Sequence, residues 1–154
     1  MKLSLYISPC PNDTFMFDAL VNGRIDTRGV EFDLHFADIE ELNRAAERGE
    51  ADITKVSYAV MPAVIDTYAV LDSGSALGRG NGPLLVSREP IDPNRPGLRV
   101  AVPGERTTAN LLLSRLYPAI TDKTPRLFST IARSVADGEF DAGVLIHEGR
   151  FTYA

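Results

Sequence analysis

His147 stands directly after the apolar run Ala142–Ile146, which has the pattern of a buried strand. A side chain in this position lies at the carboxyl end of its strand, where α/β proteins bind ligands. Because histidine titrates near neutral pH, His147 is a candidate general base for proton transfer. The alternative is a structural histidine held by hydrogen bonds. His35, the other histidine, falls on the polar side of an alternating segment, and we expect it to be exposed and inert.

Lys55, Val56 and Ser57 follow a short strand-like segment and form a second candidate group. The ammonium of Lys55 can pair with a substrate carboxylate as a compact point charge. The hydroxyl of Ser57 can donate and accept hydrogen bonds. The alternative is a solvated lysine followed by a serine that caps the next helix. The residue types leave both interpretations open.

The turn from Ser8 to Thr14 lies between a strand and a helix, because its prolines exclude regular structure. Asn12, Asp13 and Thr14 are good N-cap residues, so the turn either receives an anion at the helix N-terminus or serves only as a turn and cap. The single cysteine, Cys10, has no cysteine to pair with and no metal-ligand spacing around it. We expect it to be buried and inert rather than a reactive thiol.

Thr107 and Thr108 begin the first helical pattern of the second half of the chain. Thr107 is a good N-cap residue, and two hydroxyls beside free amides can hold a carboxylate or a sugar oxygen. Capping would explain only one of the two threonines. Binding by this pair is therefore our preferred interpretation.

Several common chemistries find no support in the residues. The glycine-rich segment Gly78–Pro83 lacks the Gly-Lys-Ser/Thr of a phosphate-binding loop, and it leads into a strand rather than a helix. Two histidines and one cysteine assemble no metal site, and no Gly-x-Ser-x-Gly elbow occurs. The sequence therefore predicts neither a nucleotide-binding loop nor a metal site.

The elements that position these groups alternate between strands and helices, a rhythm that predicts an α/β fold with helix-covered sheets. Periodicity predicts strands at 3–7, 30–36, 51–57, 68–71, 83–87, 98–102, 125–129 and 142–146, and helices at 15–20, 39–48, 58–66, 107–116 and 130–137. Pro62 falls inside the third helix, which should therefore be short or kinked. The strongest break is Asp92–Gly97, which predicts two lobes, residues 1–92 and 93–154, with ligand binding in a cleft between them.

The composition of the 154 residues is that of an ordinary globular protein, with 44% hydrophobic and 24% charged residues. The net charge is −5 and the basic residues are scattered, so we expect no nucleic-acid partner. No apolar run is long enough to span a membrane, and the first residues lack the features of a signal peptide. These observations predict a cytoplasmic protein that binds a small molecule.

Five segments in order carry a family resemblance that spans essentially the whole chain. They are Ser8–Leu20, which reads Ser-Pro-Cys-Pro-Asn-Asp-Thr-Phe-Met-Phe-Asp-Ala-Leu, Asp52–Ser57, Leu77–Pro83, Gly104–Ala109 and Gly143–Arg150. In them the chain resembles the 1,4-dihydroxy-6-naphthoate synthases of the futalosine route to menaquinone. The members of that family extend past the position of Ala154, so the second lobe and the return to the first are expected to be incomplete here.

The resemblance implies a lyase that converts cyclic dehypoxanthinyl futalosine to 1,4-dihydroxy-6-naphthoate without a cofactor, in a two-lobed fold like type II periplasmic binding proteins. It implies that His147 accepts the proton and that Lys55–Ser57 and Thr107–Thr108 bind the substrate. A small-molecule sensor domain of the same fold is the non-enzymatic alternative. Chorismate dehydratase, a related enzyme, is the enzymatic alternative. The motif Ser8–Phe15 and His147 favour the synthase.

Overall fold

The computed structural model describes residues 1–80 and 82–146, which form two compact units. The first unit is Met1–Leu77 and the second begins at Gly78. Each is a sheet with helices, so the predicted α/β class is confirmed. In the described residues no helix has the length and apolar character needed to cross a bilayer.

The first unit is built on a parallel three-stranded sheet in the order β2-β1-β3. Its elements are β1 (Lys2–Ile7), α1 (Pro11–Val21), β2 (Glu31–Phe36), α2 (Ile39–Glu47), β3 (Ile53–Thr54), a 3₁₀ turn (Tyr58–Val60) and α3 (Met61–Val64). Leu5 in the central strand is opposite Leu34 on one side and Ile53 on the other. Asp38 caps α2 by accepting from the Glu40 N–H at 3.0 Å.

The second unit contains a mixed four-stranded sheet in the order β4-β7-β5-β6, with β4 antiparallel to β7 and the other pairs parallel. Its elements are β4 (Leu84–Val86), β5 (Arg99–Val102), α4 (Thr108–Leu116), β6 (Asp122–Pro125), a 3₁₀ turn (Phe128–Thr130), α5 (Ile131–Ala136) and β7 (Ala142–Leu145). Val100, Val102 and Val144 are at most 2% exposed and anchor its core.

Strand β4 places the division between the units earlier than the predicted boundary after Asp92. The units divide between Leu77 and Gly78, because Leu84–Val86 pairs with Gly143–Leu145 of β7 and so belongs to the second sheet. The turn at Asp92–Gly97 is present, but it connects two strands of this one sheet.

Three predicted strands differ from the structure. The strand predicted at 51–57 has only two residues, Ile53–Thr54. Residues 68–71 form no strand, because the Tyr68 N–H bonds back to Val64 O at 2.9 Å while Val70 and Leu71 are exposed. The strand predicted at 125–129 lies earlier, at Asp122–Pro125, and the Arg126 N–H still donates to Val102 O at 2.9 Å. The following residues form a 3₁₀ turn instead.

Candidate functional site

Ser8 and Lys55 follow the neighbouring strands β1 and β3 at the same edge of the first sheet. The strands are parallel, with Tyr6 opposite Thr54, so their carboxyl ends meet. The Lys55 N–H extends the ladder by donating to Tyr6 O at 2.9 Å. Ser8 and Lys55 are therefore gathered at one edge of this sheet.

Helix α1 begins at Pro11 with Cys10 as N-cap, and the cap has no side-chain hydrogen bond. The prediction that Asn12, Asp13 or Thr14 would be the N-cap is therefore wrong, because proline favours the first helical position and moves the start of the helix earlier. Cys10 is partly buried, with its sulfur 2.9 Å from the Ser8 hydroxyl oxygen.

Asp13 lies in the first turn of α1, and its carboxylate is buried against the turn that precedes the helix. Its Oδ2 accepts from the Ser8 N–H at 3.0 Å and from the Ser8 hydroxyl at 2.9 Å. Only 2% of the residue is exposed. The Ser8 N–H therefore donates to a carboxylate of the chain itself and is not free to bind an external anion.

The ammonium of Lys55 is paired with this same carboxylate. Its Nζ lies 3.4 Å from Asp13 Oδ1, and the two side chains are 21% and 3% exposed. The predicted alternative of a solvated lysine is therefore wrong. A lysine has three N–H donors, so the pairing with one oxygen leaves donors for a ligand.

Ser57 is held by Asn43, a fully buried residue of α2. The Ser57 N–H donates to Asn43 Oδ1 at 2.8 Å, and Asn43 Nδ2 donates to the Ser57 hydroxyl oxygen at 3.1 Å. Ser57 stands at the start of the 3₁₀ turn without a side-chain cap bond. Because its hydroxyl accepts from Asn43, the O–H of Ser57 remains to be donated. Val56 packs against the small core of Ala46, Val60 and Val64.

Thr107 caps α4, as the sequence predicted. Its hydroxyl donates to Gly104 O at 2.8 Å and accepts from the Asn110 N–H at 3.3 Å, and 3% of the residue is exposed. Thr108 is the first residue of the helix and half-buried. Asn110 Oδ1 is buried and accepts no hydrogen bond within the described residues.

Of the two histidines, only His35 lies within the described residues. His147 lies outside the described residues, so its proposed role rests on sequence. His35 is exposed as predicted, with its ring 4.5 Å from that of Tyr6 and its Nε2 3.9 Å from Asp33.

Sequence reasoning missed both buried partners of the candidate segment, Asp13 and Asn43. The sequence pattern assigns Asp13 only a capping role. It assigns no role to Asn43, which is a polar residue type within the predicted helix. Asn43 carried one usable signal, since it lies beside Leu42 and before Ala45 and Ala46 on the apolar face of that helix. A polar residue on such a face needs a hydrogen-bond partner.

The two sheets with polar groups at strand ends define a binding-protein-like α/β fold. A ligand-binding component of an ABC-type import system from Staphylococcus aureus shares this fold, with a TM-score of 0.64 at 12% identity over 96% of this chain and 55% of that one. A crystal structure of a protein from Archaeoglobus fulgidus is more similar, with a TM-score of 0.89 at 40% identity over 99% of this chain and 56% of that one.

A family model described as menaquinone biosynthesis matches residues 3–154, and the chain belongs to this family. The chain is similar to a 1,4-dihydroxy-6-naphthoate synthase from Streptomyces coelicolor, with 50% identity over 98% of this chain and 55% of the relative. It is equally similar to the synthase of that name from Thermus thermophilus, with 50% identity over 98% of this chain and 54% of the relative. The chain thus spans about half the length of these curated relatives.

Proposed function

We propose that the protein carrying this chain is a 1,4-dihydroxy-6-naphthoate synthase, a lyase that converts cyclic dehypoxanthinyl futalosine to 1,4-dihydroxy-6-naphthoate. The observation that carries the proposal is the 50% identity over 98% of the chain to two synthases of that name. We place the reaction in the cytoplasm, without a metal or an organic cofactor.

In the proposed reaction His147 removes a proton from a substrate carbon. The electrons of that C–H bond form a ring double bond, and the ring becomes aromatic as the bond to the sugar-derived fragment breaks. The electron pair of the broken bond leaves with the fragment, which takes up one proton from solvent. The proton stays on the imidazole, and one general base in an enclosed site is sufficient for such a step.

Lys55, Val56 and Ser57, together with Thr107 and Thr108, are proposed to bind the substrate. The naphthoate product carries a carboxylate, whose oxygens accept hydrogen bonds. The Lys55 ammonium, held beside Asp13, and the O–H of Ser57, held by Asn43, are donors that suit such a group.

The test compares His147→Ala with His35→Ala in the protein expressed from its own gene. Naphthoate formation is followed by mass spectrometry. We expect His147→Ala to lower kcat by about 100-fold or more, since loss of a general base typically removes that much. Binding of the cyclic futalosine should remain, because no substrate-binding contact is assigned to the imidazole. His35→Ala should match the unmodified protein.

Unchanged turnover in His147→Ala would contradict the role of the histidine as base. If the unmodified protein binds the cyclic futalosine without forming product, the proposed synthase activity fails and a sensor domain explains the binding. Turnover of chorismate in its place would identify the protein as a chorismate dehydratase.

A further inference from the structure

We propose that Asp13 and Asn43 are positioning residues, which hold Lys55 and Ser57 in the geometry that binds substrate. The inference rests on the proposed function, because it assigns those two side chains to the substrate. It adds two residues that the sequence interpretation did not place in the site.

Asp13 connects three parts of the first unit through one carboxylate. Its Oδ2 receives both donors of Ser8 after β1, while its Oδ1 faces Lys55 after β3 at 3.4 Å. The side chain is 3% exposed, so these groups replace the water that a carboxylate would otherwise bind. A buried carboxylate with two hydrogen bonds and an ammonium is strongly oriented.

Asn43 performs the corresponding task at the other end of the segment. It is fully buried in α2, and its amide meets Ser57 through two reciprocal hydrogen bonds of 2.8 and 3.1 Å. This pairing fixes both the backbone of Ser57 and the orientation of its hydroxyl. The three residues from Lys55 to Ser57 are therefore held at each end by a buried side chain from a different helix.

The pairing changes the kind of binding expected of Lys55. An ammonium beside a buried carboxylate forms a neutral pair, so it presents oriented N–H donors rather than an uncompensated positive charge. Recognition by oriented donors depends on where the donors point. Loss of Asp13 should therefore weaken substrate binding even though Lys55 itself is unchanged.

The kinetic test compares Asp13→Asn with Asp52→Asn. Asp52 is a matched control because its Oδ2 likewise accepts from the N–H and the hydroxyl of a serine, Ser4, both at 2.8 Å, but it lies before β3 and is exposed. For Asp13→Asn we expect KM for the cyclic futalosine to rise by about tenfold or more, the loss typical of a charge-assisted hydrogen bond. The pH dependence of kcat should not move, and Asp52→Asn should leave KM unchanged.

A double-mutant cycle then tests whether Asp13 affects substrate binding through Lys55. If Asp13 acts through Lys55, the combined variant Asp13→Asn with Lys55→Gln should bind no more weakly than Lys55→Gln alone. Additive losses, or equal effects of Asp13→Asn and Asp52→Asn, would overturn the role of Asp13. The cycle of Asn43→Ala with Ser57→Ala tests the second pair, and additive losses there would overturn the role of Asn43.

A labelling experiment needs no turnover and so separates this inference from the proposed function. The chain has only three lysines, Lys2, Lys55 and Lys123, and acetylation of each by acetic anhydride is measured by mass spectrometry. In the unmodified protein Lys55 should react more slowly than Lys2, whose side chain is 63% exposed. Asp13→Asn should accelerate labelling of Lys55 alone.

Lys2 is paired with Asp33 at 3.2 Å, so its comparison with Lys55 tests burial. Labelling of Lys55 as fast as Lys2 in the unmodified protein would contradict the burial of Lys55 beside Asp13, even where Asp13→Asn fails to fold. Labelling of Lys55 at the same rate in the unmodified protein and in folded Asp13→Asn would contradict the pairing. Acceleration of Lys55 labelling by Asp13→Asn together with absent turnover in the unmodified protein would mean that the proposed reaction is wrong while the pairing is correct. Circular dichroism of each variant establishes that it is folded before its kinetics are compared.

Discussion

Single carboxylates set the geometry at strand ends in both units of this molecule. In the first unit, Asp13 joins the turns after two strands through Ser8 and Lys55. In the second, Asp141 precedes β7 and accepts from the Arg99 N–H at 2.9 Å, while its own N–H donates to Arg99 O at 2.9 Å. In each case a side chain satisfies a backbone donor that the sheet leaves unpaired.

Asp141 gives a prediction about acid stability. The backbone N–H of Arg99 lowers the pKa of Asp141, and the guanidinium of Arg99 adds to the effect. Because the folded pKa is depressed, the stabilisation is present above the unfolded pKa of about 3.9 and is lost as pH falls through the folded value. Asp141→Asn should therefore destabilise the protein at pH near 7, and the difference should shrink at pH below 4.

Urea unfolding followed by circular dichroism across this pH range measures the effect. Asp72→Asn, at an exposed position outside helices and strands, is the control and should change the free energy of unfolding little at any pH. A penalty for Asp141→Asn that stays constant down to the lowest pH would contradict a charge-dependent role.

Residue types alone predicted part of the candidate site. Lys55, Ser57 and Thr107 were singled out because they follow strands or begin helices, which are local properties of the sequence. The capping role of Thr107 is confirmed by its bond to Asn110. The pairing of Lys55 with Asp13 could not be predicted, because it depends on β1 and β3 being adjacent, and spacing along the chain does not reveal which strands are neighbours.

At the scale of elements, the packing of α5 on β7 depends on a position without a side chain. A Cβ added to Gly143 in β7 would lie 2.5 Å from Ile131 Cγ2 and 2.9 Å from Val135 Cγ2. Real Cβ atoms do not approach other atoms so closely, and both neighbours belong to the helix that covers this face of the sheet. Glycine is therefore required at position 143, because α5 approaches the backbone of β7 too closely for a side chain.

Gly143→Ala should destabilise the second unit by about 1–3 kcal/mol, the usual cost of overpacking a core. Gly82→Ala is the matched control, because a Cβ there meets no atom within 4 Å and the backbone needs no left-handed conformation. It should change the free energy of unfolding by less than about 0.5 kcal/mol. Equal unfolding free energies for the two variants would show that the helix shifts to accommodate the methyl group.

Helices and strands were predicted well where the apolar residues follow a single helical or alternating period without interruption. Alternation predicted β1 and β2, and the Asp38 cap with its apolar stripe predicted α2, because these signals are local. Residues 68–71 have equally apolar side chains but no neighbouring strand, and the hydrogen bond from Tyr68 to the end of α3 prevents an extended start. Whether such a segment forms a strand depends on an adjacent strand to pair with, and the local sequence does not show one.

At the scale of the whole molecule, the two units have separate cores, one around Ala46, Val60 and Val64 and the others within the second sheet. Between Val64 and Leu84 the described residues contain no helix or strand, and residues 71–80 are all exposed. The lobe boundary after Asp92 remains a prediction, while the compact units of the chain divide between Leu77 and Gly78.

Limited trypsin digestion should therefore cut first after Arg79, because proteases prefer exposed segments without regular structure. The expected products are two fragments, one with each sheet, and mass spectrometry identifies the cut. Arg79→Gln should slow the first cut, whereas Arg115→Gln, within α4, should have no effect. A first cut inside either sheet would contradict this division of the chain.

The strand order of the second sheet has a consequence for synthesis on the ribosome. β7 is the last described strand of the unit, yet it lies between β4 and β5. When β4 leaves the ribosomal tunnel, its partner residues from Gly143 to Leu145 have not been translated. The nascent second unit therefore cannot assemble strand by strand, and its sheet closes only once β7 has emerged. β4 therefore remains without its strand partner throughout that interval.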